Sequence, residues 1–207
     1  MEETFNKYGS AMMPENSQIR QAALDELRGN WTQPVLCTLV YVVVVGCVEF
    51  LLQLVPGLGQ IASLLISAPM GFGFCVAFLN YMRGIDRDDM VGKPFLCFKA
   101  YGRYLGTSLL MTVYVFLWTL LLIIPGIIKG LAYAMTPYVM HDHPEMSADE
   151  CIEHSMALMD GNKGKLFLLS LSFIGWGLLC VLTLGIGFFW LIPYMQCSIV
   201  KFYMSLR

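Results

Sequence analysis

Two ionisable residues lie within otherwise apolar stretches, where a charge is costly. Glu49 lies in the apolar stretch that begins at Val35, and Lys129 comes three residues after Gly126. Ionisable residues inside membrane segments are rare and commonly pair with one another, so Glu49 and Lys129 form a candidate polar pair with a structural, gating or transport role. The alternative is that Lys129 snorkels to the membrane surface while Glu49 does the same or stays protonated.

Histidines and carboxylates crowd a second segment, which has the residue types for divalent-metal binding. The histidines are His141, His143 and His154, and carboxylates stand among them at Asp142, Glu145, Glu150 and Glu153. Imidazole and carboxylate are common metal ligands, but Glu150 is explained by helix capping and Glu153 by a solvated helix face. We therefore expect a polar interfacial loop here, with no metal and no other cofactor.

The sequence lacks the motifs that position common catalytic groups. It has no Gly-rich phosphate loop after a strand, no Gly-x-Ser-x-Gly and no His-Glu-x-x-His. Its seven cysteines are scattered without a Cys-x-x-Cys pair, which argues against a disulfide framework and a zinc site. We therefore expect no catalytic residue and no enzymatic activity.

The composition explains why polar residues are few. Of the 207 residues, 57% are hydrophobic and 14% are charged, and the mean hydropathy is +0.64. Soluble domains carry about a quarter charged residues, whereas here the apolar residues come in blocks near the ~20 residues that cross a bilayer. The sequence therefore predicts an integral membrane protein, and a net charge of −2 without a basic face argues against a nucleic-acid partner.

The apolar blocks predict an all-α membrane bundle of six transmembrane helices in three hairpins, each preceded by a short cytoplasmic amphipathic helix. Residues 1–16 predict a disordered cytoplasmic tail, and residues 17–207 a single six-helix membrane domain. The fourth span is short, so it extends past His141, thins the bilayer or is shielded by protein. The predicted spans cover about residues 35–55, 61–82, 105–124, 127–141, 166–182 and 186–203.

Proline and glycine mark the predicted kinks and turns. Each returning helix contains one proline, which a membrane helix tolerates when neighbours satisfy the carbonyl that it frees. The candidate helix-kink positions are Pro69, Pro137 and Pro193. The predicted hairpin turns lie at Pro56-Gly57, at Pro125-Gly126 and between Thr183 and Gly187.

Three amphipathic segments precede the hairpins. The first, which Ser17 can cap, places its apolar residues on one helix face, at Ile19, Ala23 and Leu27. Residues 83–103 interleave aromatic and basic side chains, which predicts a helix lying at the lipid headgroups. Ser147-Ala-Asp-Glu150 has the spacing of a capping box, so a third helix is predicted over residues 148–160.

The basic residues predict the orientation of the bundle. All lysines and arginines except Lys129 lie on the side that holds the two termini. Cytoplasmic loops carry the excess of lysine and arginine, so both termini are predicted to be cytoplasmic.

Several stretches resemble a known family. They are Leu27-Arg-Gly-Asn-Trp31, Leu121-Leu-Ile-Ile-Pro-Gly-Ile-Ile-Lys129, Ala132 to Met140, and Leu171 to Trp176 running on to Tyr194. Over about residues 18–204 the chain resembles an uncharacterised bacterial membrane-protein family, domain of unknown function nine-seven-five. The resemblance implies a bacterial multi-pass membrane protein without an established activity, and therefore no catalytic residues to carry over.

These features together lead us to expect a non-enzymatic, membrane-embedded binding or scaffold module in the bacterial inner membrane. Its expected partners are membrane lipids, other membrane proteins or a second copy of the chain. The alternative is a small transporter or channel component with a cavity at its broken helices. A polar cavity bordered by Pro69, Pro137 and Pro193 would favour transport, whereas a dry bundle would favour the scaffold.

Overall fold

The fold is helical, without strands, in the part of the chain that the structure describes. This computed structural model describes residues 13–54, 58–85, 87 and 89–207, and it confirms the predicted all-α class. The first helices are α1 (Asn16–Leu27), α2 (Thr32–Gln53), α3 (Leu58–Met82), the 3₁₀ helix η1 (Lys93–Ala100), α4 (Tyr101–Leu121) and α5 (Ile123–Tyr133). The remaining helices are α6 (Thr136–Asp142), α7 (Ala148–Leu158), α8 (Lys163–Leu171), α9 (Ile174–Leu182) and α10 (Phe188–Met204).

Five helical segments of the described chain are long and apolar enough to cross a bilayer. They are Thr32–Gln53, Leu65–Met82, Lys93–Leu121, Ile123–Asp142 and Lys163–Leu182. The sixth predicted span corresponds to α10, which has 17 residues. The predicted tail falls mainly on residues 1–12, which lie outside the described residues.

Burial separates an inner set of helices from an outer set. About 61% of Leu65–Met82 is buried inside the protein, against 11% of Thr32–Gln53. In α6, five consecutive residues are buried, and α10 packs against α1, α2, α3, α8 and α9. The inner set is therefore α3, α6 and α10, the helices that contain the three candidate prolines. The apolar outer surface of α2 and α4 is suited to lipid rather than water.

The tips of two helix pairs are apolar and exposed. Leu120 to Ile124, where α4 meets α5, are five consecutive leucines and isoleucines with 63–73% of each residue exposed. Between α9 and α10, Leu184 is 94% exposed and has a positive φ of 53°. Neither tip contains a charged residue.

The turn between α4 and α5 lies one helical turn earlier than predicted. It is formed by the extended residue Leu122, and Pro125-Gly126 belongs to the first turn of α5. Proline costs no hydrogen bond there, because the first N–H groups of a helix have no partner within it. A side chain at Gly126 would lie 2.9 Å from the Thr119 Cα atom, so glycine lets α5 approach α4.

This earlier start also accounts for the short fourth span. The segment Ile123–Asp142 has 20 residues, enough to cross a bilayer. The turn predicted between Thr183 and Gly187 is confirmed, since α9 ends at Leu182 and α10 begins at Phe188. The turn predicted at Pro56-Gly57 lies outside the described residues.

The amphipathic segments before the first and third helix pairs are confirmed as helices. In α1 the predicted apolar face is buried, but its N-cap is Glu15 rather than Ser17, because the Gln18 side chain accepts a hydrogen bond from the Glu15 N–H at 3.2 Å. In α7 the predicted capping box forms: the Ser147 N–H donates to Glu150 Oε2 at 2.7 Å, and the Glu150 N–H donates to Ser147 Oγ at 3.4 Å.

The single helix predicted over residues 83–103 is wrong. The chain leaves α3 at Gly84, which has a positive φ of 77°, and forms η1 only from Lys93 onward. A side chain at Gly73 would lie 3.0 Å from the carbonyl carbon of Pro94, so η1 packs directly on the backbone of α3. The segment is therefore part of the bundle, with Phe98 left exposed on its outer side.

Pro69 lies inside α3 and leaves the Leu65 carbonyl, four residues earlier, without its helical donor. The hydroxyl of Tyr101, at the start of α4, donates to that carbonyl oxygen at 3.1 Å. The expectation that a neighbour satisfies the freed carbonyl therefore holds at Pro69.

A second interruption separates α5 from α6 at Ala134 and Met135. Pro137 follows it in the first turn of α6, so this proline lies just after a break rather than inside a continuous helix. The Ser155 hydroxyl of α7, which is fully buried, donates to the Ala132 carbonyl at 2.8 Å. Pro193, in contrast, lies inside the continuous helix α10.

The bond from Tyr101 to α3 can be tested by mutation. Tyr101→Phe leaves the Leu65 carbonyl without a donor, and we expect it to destabilise the protein by about 1–3 kcal/mol. In a Pro69→Ala background, the restored N–H of residue 69 can bond Leu65, so the same change should cost much less. Thermal unfolding in detergent of the unaltered protein, the two single variants and the double variant measures the loss of stability in each background.

Tyr104→Phe is the matched control, because the Tyr104 ring packs on Phe72 while no hydrogen bond of its hydroxyl to the described residues is found. If Tyr101→Phe lowers the free energy of unfolding equally with Pro69 and with Pro69→Ala, the Tyr101 hydroxyl does not compensate for the hydrogen bond that Pro69 removes.

Candidate functional site

The structure does not join the candidate pair Glu49 and Lys129. No ion pair within 4.0 Å links these two described residues. The Lys129 ammonium instead lies 3.7 Å from the Met156 sulfur and 5.1 Å from the centre of the Trp118 ring, within the range of a cation–π contact. Lys129 is thus held by α7 and α4, while Glu49 is half-buried on α2.

The three histidines separate into two places. The rings of His143 and His154 lie 5.3 Å apart, and His143 Nδ1 is 3.1 Å from Glu145 Oε1. His141 Nε2 lies instead 3.1 Å from Asn80 Oδ1. Among the described residues, no group of three or more His, Cys, Asp and Glu side chains is arranged to hold a metal ion.

Glu150 is engaged in the cap of α7 and not in this histidine cluster. Its carboxylate accepts the Ser147 N–H, and this hydrogen bond lowers the pKa of Glu150 below its usual value. The structure therefore agrees with capping as the role of this carboxylate.

A cavity of about 830 Å³ lies between α2, α3, α4, α6 and α10, and we name it the central cavity. Pro137 borders it, whereas Pro69 and Pro193 do not. Its remaining lining residues are Tyr41, Ser67, Ala68, Gly71, Phe72, Phe74, Cys75, Ser108, Met111, Thr112, Val115, Phe116, Thr119 and Gln196.

The polar groups of the central cavity are mostly used within the protein. Its serine and threonine hydroxyls donate to carbonyls of their own helices at 2.7–2.9 Å, as Thr112 does to Ser108. The Gln196 amide oxygen accepts from the Tyr138 hydroxyl at 3.5 Å. The cavity therefore offers chiefly an apolar surface to a ligand.

Among the described residues, Asp142 is the charged side chain with the most polar contacts, and the sequence places it only in the histidine segment. Its side chain is 5% exposed and binds Arg83, with Oδ2 accepting from Arg83 Nη2 at 2.7 Å. The Tyr203 hydroxyl donates to the same oxygen at 2.7 Å, and Arg207 Nη1 at 2.9 Å. We call Arg83, Asp142, Tyr203 and Arg207 the Asp142 cluster.

The Asp142 cluster joins the ends of the three inner helices. Arg83 directly follows α3, Asp142 ends α6, and Tyr203 lies in the last turn of α10. The sequence does place opposite charges at the ends of apolar helices, but it offers several partners for each, so spacing alone could not identify this set.

Further polar contacts tie the outer elements to the same end of the bundle. Glu26 of α1 binds Arg87 at 3.0 Å and Lys201 of α10 at 3.3 Å. Arg103 donates to the backbone carbonyls of His143 and Met146 at 2.8 and 3.0 Å. These charged side chains therefore hold helices together instead of converging on a shared empty site.

Removing the Asp142 carboxylate should destabilise the bundle strongly. In Asp142→Ala, Arg83 and Arg207 lose their counter-charge, and breaking a mostly buried ion pair in this way costs about 3 kcal/mol or more. We expect a marked drop in the unfolding temperature of the protein in detergent.

Asp160→Ala is the matched control. Asp160 pairs with Lys163 at 3.5 Å, but its side chain is 85% exposed, and exposed pairs contribute about 0–1 kcal/mol. Similar unfolding temperatures for the two variants would contradict a stabilising role of the Asp142 cluster.

Comparison with known proteins gives one family. The model of the family described as Protein of unknown function (DUF975) matches residues 12–128 and 119–207. No curated protein and no solved structure matches the chain. The two matched segments together extend over most of the sequence and include all the helices named above, from α1 to α10. The chain therefore belongs to the DUF975 family of proteins of unknown function.

Proposed function

We propose that this protein is a non-enzymatic binding module of the bacterial inner membrane that holds an apolar ligand in its central cavity. The observation that carries the proposal is an 830 Å³ cavity whose lining serine and threonine hydroxyls already bond to their own helices. A ligand there gains mainly from burying apolar surface, about 25 cal/mol for each Å². A lipid acyl chain has this chemistry.

The proposal includes six membrane crossings in three hairpins. Besides the five long apolar segments, α10 is about 26 Å long at 1.5 Å per residue, close to the ~30 Å of hydrocarbon. The Asp142 cluster and the Glu26 contacts gather basic residues at one end, which supports a cytoplasmic position of that end and of both termini.

The absence of enzymatic activity is part of the same proposal. Catalysis needs a nucleophile, an acid or a base aimed at a space that a substrate can fill. The ion pairs Arg83–Asp142 and Arg87–Glu26 and the Arg103 guanidinium, which donates to backbone carbonyls, lie outside the central cavity. This arrangement supports a role in binding and in association with lipids, membrane proteins or a second copy.

Filling the central cavity should displace its ligand. Gly71 lines the cavity, and a Cβ atom there would meet only the Tyr41 hydroxyl, at 3.8 Å, so the larger side chain of Gly71→Leu starts in open cavity space. We expect native mass spectrometry of the gently purified variant to show the loss of an apolar molecule that accompanies the unaltered protein.

Gly46→Leu is the matched control, since Gly46 is exposed on α2 with nothing within 4 Å of the added Cβ. The same ligand content in the unaltered protein and in Gly71→Leu would exclude the central cavity as the binding site.

A transporter or channel component is the second candidate, because Pro137 and the Gln196 amide both reach the wall of the cavity. Transport of a polar solute needs a hydrated path, which a membrane-impermeant charged thiol reagent can detect at Cys75, a native lining residue. Modification of Cys75 by this reagent would favour transport, and its protection would favour apolar binding.

The same reagent tests the orientation in intact cells. We expect Ile186→Cys, at the tip between α9 and α10, to react from outside, and Glu145→Cys to react only after the cells are opened. Ile186 is a better site than Gly187, where an added Cβ would lie 2.7 Å from the Cys180 sulfur. Outside labelling of Glu145→Cys would reverse the proposed topology.

A further inference from the structure

A separate groove of about 330 Å³ lies on another side of α10. Three of the chain's four tryptophans converge on it, and the fourth, Trp118, lies elsewhere. We call it the tryptophan groove. It is lined by Leu24, Trp31, Trp176, Cys180, Gly187, Trp190, Leu191 and Tyr194.

The tryptophan groove opens onto the apolar outer surface of α9 and α10. Trp176 and Trp190 are 55% and 51% exposed, and their neighbours Leu178 and Val181 are exposed as well. Two of its lining residues hold α9 and α10 close together, since an added Cβ atom at Gly187 would lie 2.7 Å from the Cys180 sulfur. Its open sides therefore face the surface that we place in the lipid.

The composition of the groove favours a hydrocarbon occupant. Its volume is about 330 Å³, and its lining residues are leucines, tryptophans, a cysteine, a glycine and a tyrosine, none of them charged. Such a groove can take part of an acyl chain, which gains by burying its apolar surface.

The basic residue Arg20 lies beside the groove. Arg20 lies four residues before Leu24 on α1, which places both side chains on the same helix face. Its charge also acts on the phenol of Tyr194, another lining residue. Arg20 is half-buried, and no hydrogen bond or ion pair to another described residue is found for it. This charge is available to an anion at the membrane surface.

We propose that the tryptophan groove binds one acyl chain of an anionic phospholipid whose phosphate lies against Arg20. The inference shares the membrane setting of the proposed function but not its cavity. Gln196 of α10 lines the central cavity, whereas Leu191 and Tyr194 line the groove. The basic end of the bundle places Arg20 on the side where anionic lipid attracts basic residues.

Tryptophan fluorescence offers a direct test, because bromine atoms on an acyl chain quench an indole that they approach. The full chain with Trp118→Phe reports only the three groove tryptophans. It is titrated with phosphatidylglycerol or phosphatidylcholine carrying brominated chains. We expect the anionic lipid to bind about fivefold more tightly, the ratio that corresponds to about 1 kcal/mol for one basic residue near an anionic headgroup.

Arg20→Gln should remove this preference while phosphatidylcholine still quenches, which would also show that the groove remains intact. Lys99→Gln, the loss of an exposed cation on η1, is the matched control and should leave the preference unchanged. Equal affinity of the unaltered chain for the two lipids, or the same loss from Lys99→Gln as from Arg20→Gln, would overturn the proposal.

The cavity-filling variant separates this site from the central cavity. Gly71→Leu should keep the fivefold preference for the anionic lipid, even where it loses the ligand of the central cavity. A preference that disappears in Gly71→Leu but persists in Arg20→Gln would assign the lipid to the central cavity and overturn the inference.

Discussion

In hydrocarbon, a backbone carbonyl without a donor has no water to bond, and this constraint governs how the interrupted helices of this protein are packed. Pro69 frees the carbonyl of Leu65, and the break between α5 and α6 frees that of Ala132. The hydroxyls of Tyr101 and Ser155, which belong to neighbouring elements, donate hydrogen bonds to these two carbonyls. Each interruption in an inner segment therefore fixes the position of the element that packs on it.

The two ends of the bundle differ in the interactions that they contain. At one end, Asp142 gathers arginines from the ends of two other helix segments, so their relative heights are set by charge and directional hydrogen bonds. At the other end, the tip at Leu120 to Ile124 offers only apolar side chains, which match hydrocarbon but select no particular partner. Between these ends, the grooves and cavities arise where the outer helices do not pack tightly against the inner set.

Features that depend on a few neighbouring residues could be predicted from the sequence. The capping box of Ser147 and Glu150 is complete within four residues, and it forms as predicted. Pro125-Gly126 is ambiguous, because proline and glycine fit a turn and also the first turn of a closely packed helix. The structure has the second arrangement, with Gly126 against Thr119.

Features that depend on which helices become neighbours could not be predicted. The opposite charges of Glu49 and Lys129, each within an apolar stretch, suggest an ion pair. However, α2 and α5 are not brought together as a packed pair, and Lys129 contacts Trp118 and Met156 instead. The tryptophan groove likewise combines residues from α1 with residues more than 140 positions later. The hydrophobic periodicity of a single helix does not indicate which distant residues that helix will contact.

The apolar tip between α9 and α10 has a consequence for biogenesis. From Leu166 to Val200 the sequence contains no Asp, Glu, Lys, Arg or His. In the proposed topology, insertion of this hairpin carries no charged side chain through the bilayer and avoids the cost of about 2.5–3.5 kcal/mol for each such residue. The transmembrane voltage performs almost no work on a neutral segment, so in that topology the favourable term for insertion is the transfer of its leucines and aromatic residues into lipid.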